Sequence, residues 1–139
     1  MLLAVVLLST ACAADAAPKE PPPTVPGVQS APPPAWIETR AGDRWLAFFS
    51  YCWTSTCIDS RPVEQRIDVP RIRVVRGELV RFHLGFRPTS LTLKVGTRSY
   101  RLQPARVASW RAAGAGGVLE VTGRMSGLRA SYVARLVVA

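Results

Sequence analysis

The chain has 139 residues, room for one folded domain, and a formal charge of +9. Of its 18 Lys and Arg only Lys19 and Lys94 are lysine, an arginine bias that reads as genome composition before it reads as a binding signature. One histidine and 3 cysteines leave little material for a metal centre or a histidine-based catalytic site. A basic surface of this kind attracts anionic lipid head groups, cell-wall polymers or nucleic acid.

Residues 2–8 are an uninterrupted apolar run, Leu-Leu-Ala-Val-Val-Leu-Leu, followed by Ser9-Thr10-Ala11-Cys12. The run is too short to cross about 30 Å of hydrocarbon as a permanent helix, and it has the length of a signal-peptide apolar region. No Lys or Arg precedes it, so either the start lies upstream or it is a minimal one. Two processing routes fit residues 1–16. Ser9-Thr10-Ala11-Cys12 resembles a bacterial lipobox, with Ser9 where leucine is usual; A-x-A cleavage after Ala13 or Ala16 is the rival. Cysteine arithmetic favours lipidation of Cys12, which leaves an even pair for a disulfide. A diacylated cysteine contributes about 0.8 kcal/mol per buried CH₂, enough to hold a small domain on a membrane. Export sets nucleic acid aside as a partner.

Residues 17–35 carry eight prolines, from Pro18 to Pro34, and almost no large apolar side chain. Such composition predicts a disordered, extended linker reaching roughly 60 Å at about 3.1 Å per residue.

From Trp36 onward the pattern changes, and residues 36–139 hold all the aromatic side chains. Val80, Phe82 and Leu84 alternate with Arg81 and His83; Leu91, Leu93 and Val95 alternate with Thr92 and Lys94. A period of two marks half-buried strands, and glycine- or proline-bearing turns punctuate them. Strands are predicted over 36–40, 44–52, 71–76, 78–85, 90–96, 98–103, 117–123 and 129–138. The only helix candidate, 106–113, is at most two turns. Seven or eight short strands predict an all-β fold, an antiparallel immunoglobulin-like β-sandwich, with a small barrel as the other architecture. Bulky residues on both faces of 46–53 suit a central strand covered on each side, or one whose outer face is occupied by the linker or a partner.

Cys52 and Cys57 lie at the end of that strand. A metal site needs more ligands than His83 and Asp59 can add, and a thiol-redox site favours C-x-x-C beside a βαβ unit. In an oxidising compartment a disulfide is the default, closing a loop that fixes Trp53 and Asp59. His83 reads as a solvent-facing strand histidine. The carboxylates Glu38, Asp43, Asp59, Glu64, Asp68, Glu78 and Glu120 are scattered, several in turns or next to Arg where they read as solvated, and no phosphate-binding glycine loop opens a helix. Asp59 stands out as a loop aspartate suited to accepting backbone N–H bonds.

Ser50-Tyr51-Cys52-Trp53, then Cys57 and Asp59, resembles the signature of a family of uncharacterised small secreted proteins and lipoproteins of Gram-positive bacteria. In that pattern a Pro-containing segment, a strand and a closing Ala-Ser-Tyr strand follow, as Pro62, Gly77–Leu84 and Ala130-Ser131-Tyr132 do here. The chain departs at Phe49, where relatives tend to have glycine. The resemblance spans most of 45–139; it implies an exported β domain and imports no activity.

The resulting expectation is a non-enzymatic sandwich without cofactor, metal or catalytic residues. It is exported, and held at the cell envelope through Cys12 or secreted. It binds a protein or an anionic envelope component through Tyr51, Trp53 and Asp59. The alternative is a structural or accessory envelope domain with no discrete ligand.

Overall fold

In the computed structural model, residues 17–24 and 30–139 are described. The expected signal region 1–16, with Cys12, lies outside them. Among the described residues eleven strands follow one another: β1 (Trp36–Thr39), β2 (Gly42–Trp45), β3 (Ala47–Trp53), β4 (Thr56–Ile58), β5 (Arg71–Val74), β6 (Leu79–His83), β7 (Ser90–Val95), β8 (Arg98–Leu102), β9 (Val107–Arg111), β10 (Gly117–Met125) and β11 (Leu128–Val138). A 3-10 turn at Val63–Gln65 interrupts the connection from β4 to β5.

The strands form two packed sheets, an all-β sandwich. One is ordered β2-β1-β6-β9, the other β4-β3-β11-β10-β7-β8, with β5 also on β11. Within this lies an immunoglobulin-type wiring. β6 pairs with β9 as B does with E, and β11, β10, β7 and β8 follow as G, F, C and C′. β5 runs parallel to β11, in the place of A′. The first four strands are additions to that frame. β1 and β2 extend the sheet beyond β6, whereas β3 shares with β5 the free edge of β11.

Strand alternation supplies the core. Val80 and Phe82 of β6, Leu91 and Leu93 of β7, Leu119 and Val121 of β10, and Tyr132 of β11 are wholly buried between the sheets. Burying each such side chain contributes about 1.5–3 kcal/mol.

The strand count exceeds the seven or eight legible in sequence for three local reasons. The predicted strand 44–52 breaks at Leu46, whose N–H donates to Ala35 O at 2.9 Å. There the chain leaves one sheet for the other. Thr56–Ile58 folds back on β3 as β4 rather than remaining a loop. The helix candidate 106–113 is instead β9. Ala108, Trp110 and Ala112 are buried between exposed Val107, Ser109 and Arg111, a strand period that outweighs the helix preference of its alanines.

The domain also begins before residue 36. Pro32 and Ala35 are buried, Ala31 packs on the core, and Pro33 O accepts the Tyr132 hydroxyl at 2.6 Å. A side chain at Gly85 would collide with Pro33, so the glycine is what lets this segment seat. The linker boundary read at 35 therefore falls inside the packed unit.

Both faces of β3 are covered, the first of the two arrangements its bulky pattern allows. The inner face meets the core; on the outer face the 59–70 connection lays Val63 and Val69 against Ala47, Phe49 and Val133. Two arginines hold that connection down. Arg135 of β11 donates to the carbonyls of Val63 (2.7 Å), Arg66 (3.0 Å) and Val69 (3.3 Å). Arg66 donates to Phe48 O at 2.6 Å and to Ser60 Oγ at 2.7 Å.

Candidate functional site

β3 and β4 form a hairpin with Thr54 and Ser55 at its tip, where Thr54 takes a φ of 52°. Cys52 and Cys57 sit directly opposite each other, Cα atoms 4.0 Å apart, and are joined by the expected disulfide. Ser30 holds the tip from outside: its hydroxyl donates to Trp53 O at 3.3 Å and bonds the Thr54 hydroxyl.

The three residues proposed for a binding surface part company here. Tyr51 is 1% exposed, which corrects its placement at the surface. A β-bulge opposite Ser131 makes two residues of β3 face one of β11, since Ala130 pairs with Tyr51 but Tyr132 with Phe48. The extra residue flips the phase, so Tyr51 joins Phe48 on the inner side, with ring centroids 6.1 Å apart. Burial pushes the Tyr51 phenol above its usual range, and the hydroxyl has no hydrogen-bond partner among the described residues. Trp53 is half-buried, edge-on to Phe86 at 5.1 Å. Asp59 is exposed, and among the described residues it forms no hydrogen bond or ion pair, in contrast to the loop bonds its type predicts.

Beside the hairpin lies a groove that sequence reasoning missed. It consists of two hollows that share Pro23 and Asp68. The smaller, about 160 Å³, is walled by Phe48, Phe49, Tyr51 and Ile58 and by Arg66 with Asp68. The larger, about 430 Å³, runs past Arg44, Trp45, Ile67 and Arg71. One side of both is the proline-rich segment itself. Trp45 Nε1–H donates to Glu20 O at 2.8 Å, and Pro23 and Thr24 lie against the smaller hollow. Ile67 stands at the rim with its side chain wholly in solvent, at 104% relative exposure. Arg66 grips Asp68 through two bonds of 2.9 and 2.6 Å. Those hydrogen bonds, ahead of the opposing effect of burial, hold the Asp68 carboxyl below its usual range.

Two expectations about polar residues are also corrected. His83 is 6% exposed, not solvent-facing. It lies stacked on Trp36, centroids 3.6 Å apart and 3° from parallel. Its Nε2 is 3.6 Å from Glu38 Oε1, too far for a hydrogen bond, and the other Glu38 oxygen accepts from Arg81 at 2.9 Å. Glu78, read as solvated, is 2% exposed and accepts the N–H groups of Val75 (2.6 Å) and Arg40 (3.0 Å). It ties the β1–β2 turn to the β5–β6 turn. Among the described residues no three His, Cys, Asp or Glu side chains gather as metal ligands would.

No protein-family model matches the chain, and no curated protein or solved structure matches it.

The groove escaped sequence reading because its parts are far apart. Glu20–Thr24, Trp45–Phe49 and Arg66–Asp68 meet only when β2 crosses to β3 and the 59–70 connection folds over. The available signal was weak: a run of prolines in a chain with tryptophans, without a hint of which one they meet.

Proposed function

We propose that the protein is exported, held on a membrane by lipid at Cys12, and acts as a non-enzymatic binding module for an extended segment of a partner protein in the cell envelope. The groove beside β2, β3 and the disulfide hairpin is the binding surface. One observation carries this reading: the groove already has a stretch of the chain's own polypeptide along one side, bonded through a backbone carbonyl to the Trp45 indole. Support comes from its makeup. Aromatic and aliphatic walls supply contact area, the cystine and Ser30 keep the hairpin wall from splaying, and Ile67 offers an exposed apolar anchor. Aromatic anchors carry a large share of interface energy. The net charge of +9 steers an acidic partner within a Debye length of about 8 Å at physiological salt.

The test is a photocrosslinking residue placed at Ile67 or, as a control on the opposite part of the larger sheet, at Thr92, in the full-length protein made in its own cell. A discrete protein adduct from position 67 and none from position 92 is expected. Adducts from neither, with the protein present in the envelope, favour the accessory domain without a discrete ligand.

A further inference from the structure

Resting on the groove reading above, we infer that the cleft along which the chain's own Glu20–Thr24 lies, between Trp45 and Arg66–Asp68, is a polyproline-II docking site: its external ligand is an acidic, proline-rich segment of a partner protein, which takes the place of Glu20–Thr24 as its built-in competitor.

Backbone chemistry selects this ligand class. Each of Glu20, Pro21 and Pro22 precedes a proline and is thereby pushed to extended conformation, while the prolines fix their own φ near −65°. A polyproline-II chain has no internal hydrogen bonds, so its carbonyls stand free to accept them. Trp45 uses one, donating its indole N–H to Glu20 O at 2.8 Å. The three-residue period puts positions three apart on one side. Pro23, three beyond Glu20, is the half-buried residue of the stretch and touches both hollows; Glu20 and Pro21, both exposed, line only the larger one, and Pro22 lines neither. An indole donor together with aromatic walls is how proline-rich segments are recognised generally, because a pre-extended chain loses little entropy on docking. Charge adds the acidic preference: Arg44 and Arg71 line the hollow at the Glu20 end.

The competition follows from tether length. Thr24 is six positions from Ser30, which is fixed to the hairpin tip. A ligand on so short a tether has an effective concentration on the order of millimolar. A modest intrinsic affinity then fills the groove in cis, and an external segment binds with its affinity reduced by the fraction of grooves left open.

The test titrates a capped peptide of the sequence Lys-Glu-Pro-Pro-Pro-Thr into the full chain, following tryptophan fluorescence and calorimetric heat. The same chain carrying Pro21→Gly, Pro22→Gly and Pro23→Gly has its built-in ligand disabled. It should bind the peptide about tenfold more tightly than wild type, and adding Trp45→Phe, which keeps a ring but removes the donor, should weaken binding at least tenfold. A Lys-Glu-Gly-Gly-Gly-Thr peptide should not bind. Far-UV circular dichroism of each variant confirms that the sandwich is intact. Saturation absent at millimolar peptide in the triple variant, or equal binding of the glycine peptide, overturns the inference. If position 67 still crosslinks a protein in the cell, that result removes the polyproline ligand and leaves the groove; loss of both removes the groove as well.

Discussion

The Tyr132 hydroxyl donates to the carbonyl of Pro33 at 2.6 Å, joining residues 99 positions apart. That bond ties the last strand to the segment that precedes the first. Tyr132→Phe should therefore cost about 1 kcal/mol, since the half-buried carbonyl loses its donor without any change in packing volume. Burial also drives the Tyr132 phenol far above its usual range. The fold favours the protonated form, so this stabilisation is complete below about pH 10, the unfolded value, and is lost as pH rises beyond it. Urea unfolding between pH 8 and 11 should show stability falling at the alkaline end, with a shallower fall in Tyr132→Phe.

Tyr51 presents the opposite case. Its hydroxyl is buried without a partner among the described residues, so Tyr51→Phe should be neutral or stabilise by up to about 1 kcal/mol. Tyr51→Ala should cost about 3–5 kcal/mol, the range for removing a large core ring. Equilibrium denaturation of the two variants beside Tyr132→Phe separates a satisfied from an unsatisfied phenol in one protein.

The Cys52–Cys57 bond closes a loop of only six residues, for which chain entropy predicts about 2 kcal/mol. The double Cys→Ser variant should lose about that much in denaturant unfolding. The intact native chain should show no thiol reactive to iodoacetamide at either position, since mass spectrometry should find both as cystine.

Arginine in this chain is partly structural. Arg135 satisfies three carbonyls of the 59–70 connection, and hydrogen bonds to a charged group contribute about 1.5–3 kcal/mol. Arg135→Met, similar in length, should lose about that range and expose the 59–70 connection to limited proteolysis. Asp68 contributes less, because its side chain is 60% exposed. Its lowered carboxyl range makes that contribution present above about pH 4 and lost as pH falls further.

Labelled palmitate checks the proposed anchor. Wild-type protein made in its own cell should carry the label, and Cys12→Ser should not.

Apart from β9, the strands of the immunoglobulin-type frame were legible in sequence because β6, β7 and β11 keep a period of two, and the cystine was legible from spacing and expected export. Tyr51 was not, because the bulge opposite Ser131 changes which side of β3 it takes and nothing local announces the extra residue. β9 was masked by alanines whose helix preference yields to pairing with β6. Glu78 and His83 carry polar labels, yet one is buried by the two backbone donors it satisfies and the other by the ring stacked upon it. The Arg66–Phe48 and Trp45–Glu20 bonds depend on long-range closure, and tertiary contact of that kind leaves no periodic trace.

Hydrogen exchange at the tryptophan indoles tests the central claim, that the proline-rich segment is seated in the groove. In the full chain the Trp45 indole N–H should be protected, and replacing Pro21, Pro22 and Pro23 by glycine should release it to fast exchange. Trp36 and Trp110, buried elsewhere, should keep their protection in both proteins. Fast exchange of Trp45 in the wild type, or an unchanged rate in the variant, would contradict the account.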